Sequence, residues 1–131
     1  MVEALKGNPA VTGLCPAARI YGEAQPQRTA WPFIRYGFPI MTPEEVSGHT
    51  GSRNRVTIHT FARGPSMDDC ADLVAAVTDT LDGQDITLQF PAGVTRQATV
   101  FECFLVGSQI IPDGTDDWHG IVEFSAVVAG A

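Results

Sequence analysis

Cys70, His59 and Asp69 are the residues of this 131-residue chain whose types suit covalent catalysis, as thiolate nucleophile, base and orienting carboxylate. Cys70 lies near an expected helix start, where a thiolate is favoured. It also lies on the apolar stripe of that helix, which assigns it to packing, and no oxyanion-hole motif accompanies it. The nucleophile-elbow, phosphate-loop and dinucleotide-binding glycine motifs are absent. The chain does not read as an enzyme, and no catalytic or cofactor-binding residue is assigned.

Metal chemistry has little more to draw on. His49, His59 and His119 come from a loop, a strand and a strand start, with no spacing such as HxxxH joining them. Asp113-Gly114-Thr115-Asp116-Asp117 offers the oxygens calcium favours, but it lacks the order of an EF-hand loop and its closing glutamate, and reads as a turn. Cys15, Cys70 and Cys103 are odd in number, far apart and without a CxxC pair. Buried reduced thiols are expected, not a disulfide or a zinc site.

The elements that would position these groups centre on one strand and one helix. Residues 56–61 are β-branched or aromatic, with apolar groups at every second position, the period of a strand with two unlike faces. After Gly64-Pro65, Ser66 can cap a helix by accepting from the Asp69 amide, and Asp69 sits where the dipole favours a carboxylate. Cys70, Val74, Val77 and Leu81, with Leu73 beside them, make an apolar stripe. Asp68, Asp72, Asp79 and Asp82 fall on the opposite side, and Gly83 supplies a positive-φ stop. One face packs on a sheet; the other is anionic, either a solvated surface or a wall that repels another polyanion.

Upstream, residues 2–6 read as a helical turn and Asn8-Pro9 as an N-cap followed by proline at the first helical position. Residues 19–22 and 31–37 are extended, with Pro32 at a strand start or edge. Residues 38–54 hold Pro39, Pro43, Gly48, Gly51 and Ser52 without a sustained period, and are expected to form a long loop. Downstream, residues 86–90 alternate, Pro91-Ala92-Gly93 turns, residues 95–106 form a long strand, and residues 118–128 a last one. In residues 95–106, Cys103 and Leu105 are expected on one face and Phe104 and Val106 on the other. The pattern predicts a single α+β domain over residues 1–131: a mostly antiparallel sheet packed on one main amphipathic helix, plus a short N-terminal helical segment.

A hydrophobic fraction of 44% and a mean hydropathy of +0.05 are those of a folded chain able to bury one core. No apolar run reaches membrane-spanning length, no membrane partner is expected, and the first residues lack a signal peptide's pattern. The formal charge of -7 is unevenly spread. Residues 1–55 hold six of the eight Lys+Arg and four of the fifteen Asp+Glu, or +2; residues 56–131 hold two and eleven, or -9. Such a chain repels nucleic acid except at a local basic patch, of which Arg53 and Arg55 are the one tight pair.

In order and spacing the sequence resembles the tail-completion or tail-terminator proteins of long-tailed bacteriophages and gene transfer agents. The resemblance rests on Asn8-Pro9-Ala10-Val11-Thr12-Gly13-Leu14, Arg19-Ile20-Tyr21 and Pro32-Phe33-Ile34-Arg35-Tyr36-Gly37. It continues through residues 56–61, the helix of residues 66–83, and Trp118-His119-Gly120-Ile121-Val122-Glu123-Phe124. It implies a virion protein, assembled in the bacterial cytoplasm, that forms a ring, usually hexameric, at the neck end of the tail. Such a ring ends tube polymerisation, joins tail to neck and lets DNA pass. The implied partners are other copies of the chain, the tail tube protein, and a stopper or adaptor protein of the neck. No catalytic residue, metal or cofactor comes with it.

On this reading Asp68, Asp72, Asp79 and Asp82 are candidates for a DNA-facing surface. Glu44, Glu45, His49, Arg53 and Arg55 are candidates for contacts with a partner or subunit. Alternatives are a head-side connector or stopper ring, a cytosolic module binding a small ligand among Trp31, Tyr36 and His59, and a hydrolase using Cys70.

Overall fold

The apolar stripe of residues 70–81 does become the organising helix. In the structure, a computed structural model that describes residues 2–22, 30–37, 40–46, 49–83, 86–87, 98–112 and 114–130, helix α3 spans Asp68–Leu81. Cys70, Leu73, Val74, Ala76, Val77 and Leu81 are buried. Its start differs from expectation by about a turn's edge: the Ser66 hydroxyl accepts from the Asp68 amide at 3.3 Å rather than from Asp69, and Met67 precedes the first helical residue. Asp68 and Asp69 still occupy the first turn, where the helix dipole favours them. At the other end Gly83 takes φ +71, and its amide donates to the Cys103 carbonyl at 2.6 Å.

Two short helices precede it. Helix α1 is Val2–Lys6 and α2 is Pro9–Thr12, the latter capped by Asn8, whose side chain accepts from the Ala10 amide at 2.9 Å. Leu5, Val11 and Cys15 deliver this segment into the same core as α3. A short 3-10 turn, Ala17–Arg19, then leads to strand β1, Ile20–Tyr21.

The sheet is mostly antiparallel. Strands β2 (Phe33–Tyr36), β3 (Ile40–Val46), β4 (His49–Arg63), β5 (Ile86–Thr87), β6 (Ala98–Pro112) and β7 (Asp117–Gly130) complete it in the order β1-β2-β4-β7-β6-β5. β3 also pairs with β4, on the side that β2 uses, and β1 with β2 is the parallel pair. The longest ladder joins β4 to β7, from Gly51↔Ala129 to Arg63↔Asp117. Alternation then sorts the faces: Val56, Ile58, Thr60 and Ala62 of β4 and Gly120, Val122, Phe124 and Ala126 of β7 are buried on the helix side.

Three sequence expectations change. Residues 40–46 and 49–54 are not a loop but the two arms of a hairpin, in register from Ile40↔Arg55 to Val46↔His49. Pairing of that kind uses backbone groups, which leave no mark in residue type, and Pro43 is tolerated because β3 is an edge strand. Second, β6 does not alternate through residues 103–106. Register shifts between Phe101 and Phe104 and between Leu105 and Gly107 each insert one residue, so Leu105 is exposed along with Phe104 and Val106 while Cys103 is buried. Third, of the strand expected at residues 86–90, Ile86 and Thr87 are paired; residues 88–97, with the expected turn at Pro91, lie outside the described residues.

Candidate functional site

The sheet separates the residues that covalent catalysis would need to bring together. Neighbours on a strand point to opposite faces. Thr60 turns toward the helix, where its hydroxyl lies 3.6 Å from the Cys70 sulfur, while His59 turns away to meet His119. Cys70 is wholly buried, and burial raises its thiol pKa above the ordinary value. Asp69 is exposed. No thiolate, base and carboxylate converge.

The pocket imagined among Trp31, Tyr36 and His59 does not form either. Tyr36 packs against the core on the helix side, whereas Trp31 and His59 flank Phe61 on the other. A concavity of about 460 Å³ is lined instead by Gly13, Leu14, Trp31, Pro32, Arg63 and Leu73, among others, at the start of α3. Among the described residues no group of three His, Cys, Asp or Glu side chains is placed to hold a metal.

Facing away from α3 is a stack of rings laid across three strands. Phe33, Phe61 and His119 are cross-strand partners on β2, β4 and β7. Their rings lie nearly parallel, at 4.4 Å for Phe33 to Phe61 and 4.3 Å for Phe61 to His119. Trp31 stands edge-on to both phenylalanines, and the Arg63 guanidinium covers its ring at 4.4 Å. Arg63 Nε also donates to Asp117 Oδ1 at 2.9 Å. His59 Nδ1 and His119 Nε2 are 2.8 Å apart, so one ring donates to the other. Burial, then the charge of Arg35, then His119 push the His59 pKa down to about 4. His59 is therefore neutral at pH 7, and the stacked rings tie β2, β4 and β7 together on this face.

The two exposed faces carry opposite charge. Asp68, Asp72 and Asp79 are exposed on α3, and Asp82, also exposed, caps its C-terminal end. Asp82 is more than solvated, since its Oδ1 accepts from the Leu105 amide at 2.8 Å and ties the helix end to β6. On the far face of the sheet, β4 presents Arg53, Arg55, Thr57, His59, Phe61 and Arg63 at alternate positions, with Arg35 opposite His59 on β2. Arg55 pairs with Glu123 at 3.2 Å and Arg53 reaches the Ser125 hydroxyl at 3.5 Å. Of the other residues expected to contact partners, Glu44 and Glu45 belong to β3 and His49 begins β4.

This basic, aromatic face was not anticipated from the sequence. Its signal was present in the period-two run from Arg53 to Arg63, which becomes legible once residues 49–55 are known to be strand. The contact between His59 and His119 had no such signal, because it depends on which strands are neighbours and in which register.

Comparison with known proteins yields a consistent answer. No curated protein matches the chain. Its fold is that of a chain in the solved structure "Virion of native gene transfer agent (GTA) particle", with a TM-score of 0.76 at 16% identity, over 97% of this chain and 90% of that one. The family model "Tail completion protein gp17" matches residues 1–129. On the strength of that match, which spans nearly its whole length, the chain belongs to the tail completion protein gp17 family.

Proposed function

We propose that this protein closes into a ring, most simply of six copies, at the head-proximal end of a tail tube. There it ends tube polymerisation, joins the tail to the neck and leaves a central path for DNA, without catalysing a reaction. The observation that carries this reading is the family match over residues 1–129, supported by the likeness of fold to a chain of a gene transfer agent virion. Physical chemistry adds two surfaces. The carboxylates Asp68, Asp72, Asp79 and Asp82 border the DNA path, where a negative wall lets DNA slide without being held. The hairpin of β3 and β4, bearing Glu44, Glu45, His49, Arg53 and Arg55, contacts the tube or the next subunit.

Loss of the chain from a producing strain tests the role directly. Tails of uncontrolled length that fail to join heads are expected; normal, joined tails would overturn it. For the acidic face, Asp68→Lys, Asp72→Lys and Asp79→Lys together leave the Asp82 contact intact and are expected to slow DNA delivery. Unchanged delivery by particles carrying the triple variant removes the DNA path from that face.

A further inference from the structure

One border of the sheet is left open by its own chain. β6 pairs with β7 along its length but with β5 only at Thr99 and Val100. Across residues 104–112, no strand among the described residues lies on its other side, and of its backbone groups the Leu105 amide is taken by the Asp82 carboxylate at the end of α3. This stretch contains no charged residue. Phe104, Leu105, Val106 and Ile111 within it are 56%, 37%, 48% and 39% exposed. Soluble proteins normally blunt such an edge with charge, proline or a covering segment. β3, at the opposite border, has Pro43, Glu44 and Glu45; β6 has no such residue between Glu102 and Pro112.

Charge selects what fits there. The exposed Asp82 carboxylate sits on the β6 border, bonded to Leu105, and the exposed Asp116 lies in the turn that leaves β6. A twofold contact of β6 with β6 would set those carboxylates against their own copies, which is unfavourable. The opposite border, formed by the segment before β1 and by β2, β3 and the start of β4, carries Arg19, Arg35 and Arg53 against Glu44 and Glu45, with Arg55 held in an ion pair by Glu123 of β7. The strand order thus turns the uneven charge of the sequence into two unlike borders: strands from residues 1–55 lie on one side, and the acidic remainder on the other.

We infer that the open edge of β6, residues 106–112, receives the β3 border of a second copy, head to tail. Contacts between unlike surfaces repeat around an axis and, when the rotation closes, leave no free border. The inference deepens the ring reading above and rests on it, by naming the surfaces through which copies join.

Cysteine pairs test it in the purified full-length protein. Ser108→Cys is combined in turn with a cysteine at each position from 40 to 46, and the products of mild oxidation are resolved by size. Cys15, Cys70 and Cys103 are wholly buried and do not compete. A ladder of covalent oligomers from at least one pair, and none from either single variant, is expected. A covalent dimer from Ser108→Cys alone would overturn the inference in favour of a twofold contact. Absence of any ladder in a preparation that mass photometry shows to be oligomeric would overturn the inference and leave the ring standing. A protein monomeric at every concentration would sink both. In parallel, Phe104→Lys with Ile111→Lys, both on exposed positions, is expected to keep the far-ultraviolet circular dichroism and lose the oligomer; an unchanged oligomer would also overturn the inference.

Discussion

Replacing Gly120 by alanine plants a methyl group where strand β7 runs beneath helix α3. A Cβ built there meets Val74 Cγ2 at 2.6 Å and Cys70 Sγ at 3.2 Å, and is closer still to the Thr60 hydroxyl. Those atoms belong to β4 and to two turns of α3, so no single rotamer change clears them, and Cys70 and Thr60 are wholly buried. Overpacking of this kind costs about 1–3 kcal/mol, and contact with three neighbours places Gly120→Ala toward the upper end. For 131 residues the unfolding entropy near 60 °C converts that range into a fall in Tm of about 4–11 °C. Urea denaturation followed by circular dichroism reads the same loss as a lower midpoint at an unchanged slope. Val74→Ala removes one of the obstructing atoms. Combined with Gly120→Ala it is therefore expected to cost less than the sum of the two single changes. A Gly120→Ala protein within about 0.5 kcal/mol of wild type, or strict additivity in the pair, would refute the close approach of helix and sheet.

Other expectations follow from single groups. Gly83 has φ +71 and open space where a Cβ would go, so Gly83→Ala is expected to cost about 1 kcal/mol through backbone conformation alone, measured by thermal unfolding. His59 has its pKa depressed from 6.5 to about 4, so the unfolded chain binds the extra proton between those values. Its contribution to stability is complete above pH 6.5 and lost as pH falls toward 4, by about 1–2 kcal/mol after allowance for partial solvation, and His59→Gln is expected to flatten that part of the pH profile. Burial pushes the Cys15 and Cys103 thiols up to about 11 and raises Cys70 as well. Iodoacetamide at pH 7.5 is therefore expected to leave the native protein unmodified by mass spectrometry and to label all three sites in urea. Rapid labelling of Cys70 alone would revive the hydrolase reading.

What could be read from the sequence was whatever burial had written into residue type. The stripe from Cys70 to Leu81 repeats because one side of α3 is covered, and the alternation from Val56 to Phe61 arises because the helix covers one face of β4. Asn8, Pro9 and Gly83 were legible through backbone chemistry confined to their own neighbourhoods. The hairpin of β3 and β4 was missed because Pro43 and Gly51 resemble breakers while the bonds that hold it are main-chain bonds. The bulges in β6 were missed for a related reason: an inserted residue changes the facing of Leu105 without changing its identity. The acidic face was visible from spacing alone, whereas its basic counterpart needed the strand assignment of residues 49–55. Pairings between distant strands, including His59 with His119, lie beyond any reading of local pattern.

The unbroken length of β4 also governs how force would pass through the molecule. Its ladder with β7 runs from Gly51 to Arg63. A pull parallel to the strands would load all those rungs simultaneously and meet the stiffest response the sheet can give. Tension applied sideways at β6 would instead peel its rungs in succession.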